Sequence, residues 1–180
     1  ALILQAVGWV CMVASEQFTG HWLDRGLSVT SVAFMGWGHF RMWAGLQEWL
    51  GPRPWRRSLV ALCIATPLGY FLSFDSYPVR VGWTNALLAL QLLVLWRACL
   101  WPLQRTVDGH WRWVLGGCML MMAGFTAARG TLGAFFTALY PSFTAPHPVH
   151  VMAMVATNVS LVLGNVAVLV AWRTEAEARL

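Results

Sequence analysis

The sequence is poor in charge. Of its 180 residues only 11% are charged, none is lysine and seven are acidic. Soluble domains carry about 25% charged residues, so this chain lacks the charge that would cover the surface of a water-soluble fold. The scarcity of charge argues against two classes of protein, a soluble enzyme and an extended disordered chain.

Motifs that carry catalysis are also missing. There is no glycine-rich phosphate loop, no nucleophile elbow, no His-Glu-x-x-His and no pair of carboxylates within an apolar run. We therefore expect no catalysis by these residues. The four cysteines stand singly in apolar stretches, without the spacing of metal ligands or disulfide partners, and we interpret them as small buried side chains: Cys11, Cys63, Cys99 and Cys118.

Apolar residues dominate what is present. They make up 58% of the chain, and the mean hydropathy is +0.59. A helix needs about 20 residues to cross a bilayer, and six apolar runs approach or exceed that length: α1 over 1–18, α2 over 27–50, α3 over 58–74, α4 over 81–101, α5 over 113–139 and α6 over 150–172. The sequence predicts an all-α membrane bundle of about six transmembrane helices over 1–172, followed by a polar helical segment over 173–180.

Tryptophan and arginine mark the ends of these runs. Tryptophan is enriched at both membrane interfaces, and most of the 12 tryptophans fall near predicted helix ends. Arginine concentrates between α2 and α3, between α4 and α5, and after α6. Because cytoplasmic loops are rich in basic residues, we predict that these segments and the C-terminus are cytoplasmic. The other three loops then face outward.

Two arginines near the predicted outer side are candidates for ligand binding. Arg129 lies inside α5, and Arg80 opens α4 on the same side of the membrane. An ionisable side chain within a membrane helix is costly and usually functional. Together the two could hold an anion through forked hydrogen bonds; the alternative is that Asp75 or Glu16 neutralises them.

Histidines and one further arginine complete the candidate residues. His39 lies near the middle of α2, and Arg41 points to nearly the opposite side of that helix. Both are candidates for ligand binding, unless His39 only bonds inside the bundle and Arg41 only extends toward the cytoplasm. His147 and His150, joined by His21, are candidates for a metal site. The sequence indicates no particular cofactor.

Small and polar residues within the helices predict how the bundle packs. A run of small residues in α5 permits close backbone contact and predicts a central position for that helix. Polar residues spaced seven apart are expected to bond between helices. These polar residues are Thr84 and Gln91 in α4, and Asn158 and Asn165 in α6.

The order of these features resembles the multi-span sensor region that precedes the catalytic domain of many bacterial diguanylate cyclases. The resemblance covers most of the chain and rests on the junction AGLQEWLGPRP, on Arg80, on Arg129 and on the exit segment WRTEAEARL. It implies a homodimeric sensor in the bacterial inner membrane. Such a sensor controls a cytoplasmic domain beyond Leu180 that makes cyclic di-GMP. Because the arginines form short clusters and not a concentrated basic face, nucleic acid is not an expected partner. The GGDEF motif of the cyclase itself does not occur here.

Two other functions stay open. A small transporter would need an inverted repeat and helices broken at mid-membrane, whereas only Pro67 interrupts a run and no repeat is found. An accessory subunit of a larger membrane complex would pack its tryptophan-rich surface on other membrane proteins. A nucleotide-cyclase domain after Leu180 would favour the sensor over both alternatives.

Overall fold

A computed structural model of the chain describes residues 1–101, 110–140 and 148–178. These residues form helices and no strand, which confirms the predicted all-α class. Each of the six apolar runs corresponds to one helix: α1 Leu2–Glu16, α2 Trp22–Leu50, α3 Arg56–Leu72, α4 Tyr77–Leu100, α5 His110–Phe135 and α6 Pro148–Ala178.

Local capping sets the bounds of α2. The helix begins at Trp22, earlier than predicted, because His21 caps it: Nδ1 of His21 accepts a hydrogen bond from the backbone N–H of Leu23 at 3.3 Å. This bond satisfies one of the free N–H groups of the first turn. At the other end Gly51 takes φ 78° and ψ −171°, a backbone conformation that is essentially restricted to glycine, and the helix ends there.

Helix α6 continues past the predicted end of its apolar run, as the polar tail suggested. It reaches Ala178, and Arg173 pairs with Glu177 one turn later, with 2.8 Å between Nε and Oε1. Such pairs four residues apart help to hold an exposed helix, although here the basic residue comes first, which is the less favourable order. The sequence also favours a pair between Glu175 and Arg179, which lies outside the side chains that the structure describes.

Helix α4 lies at the centre of the bundle. Within the described ranges it contacts α2, α3 and α5, whereas α1 contacts only α2 and α6 contacts only α5. Helices α1 and α6 therefore form two walls of a cleft, and its floor is built by α2, α4 and α5. The expectation that α5 occupies the centre was wrong, because the small residues of α5 serve its contact with one neighbour, α4.

That contact is unusually close at two glycines. A Cβ atom on Gly130 would lie 2.7 Å from Cβ of Asn85, and one on Gly133 would overlap Cγ1 of Val81. Atoms at such distances overlap, so any larger residue would push the two helices apart. The predicted role of small residues in close helix contact is confirmed.

Cysteine behaves as expected. The side chains of Cys63, Cys99 and Cys118 are buried and that of Cys11 is half-buried, and all four thiols are free. The three buried ones belong to the apolar core between α2, α3, α4 and α5, which also contains Trp43.

The segment after α2 buries a charged side chain. Arg53 is 6% exposed and donates a hydrogen bond to the backbone oxygen of Leu50. Nearby, Arg112 is 5% exposed and its Nε donates to the backbone oxygen of Cys99 at 2.8 Å. Burial, together with the positive charge of Arg112, lowers the pKa of Arg53. Because arginine nevertheless stays charged, both groups place positive charge at the end of the bundle that is predicted to be cytoplasmic.

The outside of the bundle is apolar. Along α6 alone, six valines are more than one-third exposed: Val151, Val155, Val159, Val162, Val166 and Val170. Soluble monomers seldom expose continuous apolar surface of more than a few hundred Å². Among the described residues two helices, Tyr77–Leu100 and Pro148–Thr174, are long and apolar enough to cross a membrane. The other four fall short in length or hydropathy.

Candidate functional site

The cleft between α1 and α6 contains two adjoining cavities. Their volumes are about 470 and 480 Å³, within the range of about 300–1,000 Å³ that is typical of small-molecule sites. We call the first one the arginine cavity, because Arg80 and Arg129 line it. Residues that line both cavities mark where they meet: Leu2, Gln5, His39, Leu92, Met122 and Asn165.

The structure brings the two candidate arginines to one cavity. Arg80 comes from the first turn of α4 and Arg129 from the second half of α5, and both side chains are half-buried against the arginine cavity. Two positive charges in a mostly apolar space are unfavourable unless anionic or strongly polar groups accompany them. An anionic group that enters this cavity would find the guanidinium donors of two helices beside it.

Arg80 is held in place by groups that do not cancel its charge. Its Nη1 donates to the backbone oxygen of Phe74 at 2.9 Å. The guanidinium carbon lies 4.6 Å from the centre of the Phe74 ring and 5.5 Å from that of Tyr70. Asp75, one of the two acids that might neutralise it, instead lies 3.9 Å from Arg25 and is largely exposed. Asp75 therefore does not neutralise Arg80, whose guanidinium group lines the cavity.

Hydroxyl groups also line this cavity near Arg80. Tyr77 is in the same turn of α4, and its phenol donates to the backbone oxygen of Tyr140 at 3.2 Å. Thr84, one turn further along α4, is 6% exposed, and its Oγ1 has no hydrogen-bond partner among the described residues. A buried hydroxyl without a partner costs about 1–3 kcal/mol. Thr84 therefore offers an unused hydrogen bond beside the arginines.

A chain of hydrogen bonds fixes the orientation of His39. Thr66 donates to a backbone oxygen of its own helix at 2.6 Å, so its Oγ1 accepts from Nε2 of Gln91 at 2.8 Å. The remaining amide oxygen, Oε1 of Gln91, lies 3.0 Å from Nδ1 of His39. An oxygen acceptor at that position assigns the proton to Nδ1. The Nε2 atom of the neutral ring then carries the lone pair.

The expectation that His39 bonds inside the bundle is confirmed, since Gln91 of α4 is its partner. The ring also lines both cavities, at the point where they meet. Gln91 is fully buried and links α2, α3 and α4 through its two amide atoms. Asn158, in contrast, donates to the backbone oxygen of Met154 in its own helix, so the expectation of a bond between helices was wrong there.

The other candidates lie apart from the arginine cavity or beside it. Arg41 is exposed and lines the second cavity. His21 is exposed and caps α2, and His150 is half-buried in the first turn of α6. His147 lies outside the described residues. Within the described ranges no group of three or more His, Cys, Asp or Glu side chains could hold a metal ion, so the metal site stays a prediction.

Several residues of the arginine cavity were not predicted from the sequence. Gln5 and Trp9 of α1 and Thr126 of α5 line it, as does Tyr70 at the end of α3. Along α4 a signal was available, because the lining residues recur at spacings of three and four that place them on one helix face: Tyr77, Val81, Thr84, Leu88 and Leu92.

No protein-family model, no curated protein and no solved structure matches this chain. The geometry of the cleft and the pattern of the sequence are therefore the grounds for a functional proposal.

Proposed function

We propose that this chain is a membrane sensory domain that binds an anionic ligand in the arginine cavity. The observation that carries the proposal is the meeting of Arg80 and Arg129, from two different helices, at one cavity of ligand size. Arginine suits this role because its planar fork of donors matches carboxylate and phosphate oxygens.

All six helices cross the membrane in this proposal. The helices that fall short in mean hydropathy include α2 and α5, and several of their polar residues face inward: Ser28, Ser31 and His39 in α2 and Arg112 in α5 are all buried. Polar residues that face the interior of a bundle lower the mean hydropathy of a helix without meeting lipid. The apolar exterior supports the same arrangement.

Aromatic and arginine side chains support this placement at both ends of the bundle. At one end Arg25 lies 4.4 Å from the ring centre of Phe71, and at the other Arg97 lies 4.5 Å from that of Trp101. Arginine and tryptophan commonly anchor helices at the two interfaces. Together with the arginine distribution along the sequence, this favours a bacterial inner-membrane protein with a cytoplasmic C-terminus.

The signal would leave the bundle through α6. A ligand in the arginine cavity touches α4 and α5 through the arginines and α6 through Thr157. Since α6 contacts only α5 among the described residues, a small shift of α6 disturbs one helix interface and leaves the others intact. A ligand drives such a shift only as far as it binds one arrangement more tightly than the other. Following the sequence resemblance, we propose that the output is a diguanylate cyclase domain after α6, active as a homodimer.

The test compares cyclic di-GMP levels in cells that produce the full-length protein with Arg80→Gln, Arg129→Gln or Arg57→Gln. We expect the two cavity variants to shift the level several-fold and in the same direction, because both lose the same ligand. Arg57→Gln removes an exposed arginine that lines neither cavity and should leave the level unchanged. Wild-type levels in both cavity variants would contradict the proposal.

A further inference from the structure

The arginine cavity is charged at one end and mostly apolar along the rest of its length, where Gln5, His39 and Asn165 add polar side chains at the far end. Arg80 and Arg129 lie at one end, and Leu88, Leu92 and Met122 line the part beyond Thr84. From position 80 to position 92 of α4 the helix rises about 18 Å, at 1.5 Å per residue. One leaflet of a bilayer has a hydrocarbon depth of about 15 Å, half of the usual 30 Å. The wall that α4 contributes to the cavity is therefore about as long as one leaflet is deep.

We propose that this cavity binds a single-chain amphiphile, an acyl chain that ends in a carboxylate or phosphate group. This inference rests on the proposed function and names the class of ligand. The head group lies between Arg80 and Arg129, where forked hydrogen bonds suit its oxygens. The hydroxyl of Thr84, which has no other partner in the described part of the chain, donates to the same head group.

The acyl chain extends from Thr84 along α4 toward His39. A small soluble anion would fill only the charged end and leave the wall around Leu88 and Leu92 in contact with water or empty space, which is unfavourable. A neutral chain would leave the charged end, where Arg80 has no acidic partner within the described ranges, without an anion. The combination of charge and apolar length therefore selects an amphiphile over either simpler ligand.

The ligand has a route of entry from the side. Helices α1 and α6 do not contact each other in the described residues, so the cleft between them opens toward the surroundings of the bundle. Two kinds of molecule carry an anionic head group on a single acyl chain: a lipid of the bilayer, or a fatty acid that arrives from water. The experiment below distinguishes these two sources.

The full-length protein is placed in nanodiscs of zwitterionic phosphatidylcholine and irradiated with dodecanoate that carries a diazirine near its terminal methyl group. We expect adducts on the segments that contain Leu88, Leu92 and Met122, identified by mass spectrometry. Unlabelled dodecanoate should displace the probe, whereas dodecanol and hexanoate should not. Dodecanol partitions into the bilayer as well, so it controls for nonspecific labelling.

Variants test the head group separately from the chain. Arg80→Gln and Arg129→Gln should each raise the concentration of dodecanoate needed for displacement by about tenfold or more, since each removes a charge-assisted hydrogen bond. Arg80→Lys keeps the charge and should retain part of the affinity, and Arg57→Gln, at an exposed position that lines neither cavity, should not change it. Thermal unfolding of each variant confirms that it is folded.

Equal displacement by dodecanol, or by hexanoate or inorganic phosphate, would overturn the proposal. Lysophosphatidate added to the nanodisc identifies the source: stronger displacement than by dodecanoate supports a bilayer lipid, and weaker displacement supports a fatty acid from water. Cyclic di-GMP synthesis in the same sample keeps the two proposals apart. Site-specific binding without a change in synthesis would contradict the sensory function alone, and synthesis that depends on the arginines but not on chain length would contradict the amphiphile alone.

Discussion

Arg80 and Arg25 lie near each other along the same end of the bundle but differ in their partners. Arg25 donates to the backbone oxygen of Phe71 at 2.6 Å and lies 3.9 Å from Asp75. Arg80 contacts ring faces and one backbone oxygen and lines a cavity. Arg25 therefore has an acidic partner within the fold, whereas Arg80 presents its charge to a cavity.

This contrast predicts different effects on stability. Arg80→Gln should lower the melting temperature of the ligand-free protein less than Arg25→Gln does, because the lost hydrogen bond and ring contacts are offset by the removal of a positive charge from a mostly apolar cavity. Arg25→Gln should destabilise by about 1 kcal/mol, since it removes a hydrogen bond and contacts with two aromatic rings. Thermal unfolding of both purified variants in the same detergent tests this. An equal loss of stability in both would assign Arg80 a structural role.

Gln91 is expected to be the most sensitive polar residue of the interior. Gln91→Leu leaves Nδ1 of His39 and Oγ1 of Thr66 without their partner, so it should destabilise by about 1–3 kcal/mol. Asn158→Leu is the matched control, because that amide is exposed and bonds only within α6, and its effect should stay within about 0.5 kcal/mol. Denaturant titration in mixed micelles measures both; similar values for the two would show that the buried network adds no stability.

At the scale of helices, the pair α4 and α5 determines the shape of the arginine cavity. Asn85 and Val81, which meet Gly130 and Gly133 of α5, also line this cavity. The distance between the two helices therefore sets both the packing and the separation of the arginines across the cavity.

A pair of glycine substitutions tests this coupling. Gly130→Ala should destabilise by about 1–3 kcal/mol, because the new methyl group meets Cβ of Asn85, which cannot rotate away. Gly124→Ala lies in the same helix with no neighbour within 4 Å and should be neutral or stabilising by up to about 1 kcal/mol, since alanine favours helix. The thermal midpoints of the two variants should move in opposite directions, and a parallel shift would rule out close packing at Gly130.

At the scale of the whole molecule, orientation in the membrane decides which end of the cleft meets the outside. We predict the orientation from the distribution of arginines, which are most frequent at the end of the bundle that holds Arg53 and Arg112. The arginines of the arginine cavity lie toward the other end, where α4 begins. The proposed sensory function predicts this arrangement, with the ligand on the outer side and the output through α6 on the cytoplasmic side.

Cysteine labelling tests the orientation directly. In a protein without its four native cysteines, Ser76→Cys should react with a membrane-impermeant maleimide added to whole cells, and Pro52→Cys should react only after lysis. Both positions are exposed, and neither substitution changes the arginine distribution that sets the topology. The reverse labelling pattern would invert the bundle and place the arginine cavity on the cytoplasmic side.

The sequence by itself determined the number and order of the helices, because apolar runs of sufficient length and the residues that interrupt them are local features. It also indicated Arg80 and Arg129, since an arginine within or at the edge of an apolar run is conspicuous without any knowledge of packing. The free, buried cysteines and the close contacts of the small residues in α5 were predictable for the same reason.

Only the tertiary structure decided which helices meet. The link between His39, Gln91 and Thr66 joins three helices, and no spacing along the chain predicts which polar residues of different helices become partners. The packing of helix faces that are similar in apolar composition also determines two other features. These are the participation of α1 in the arginine cavity and the central position of α4. The contacts depend on how side-chain shapes fit at atomic distance, as they do between Gly130 and Asn85. Local sequence patterns do not contain that information.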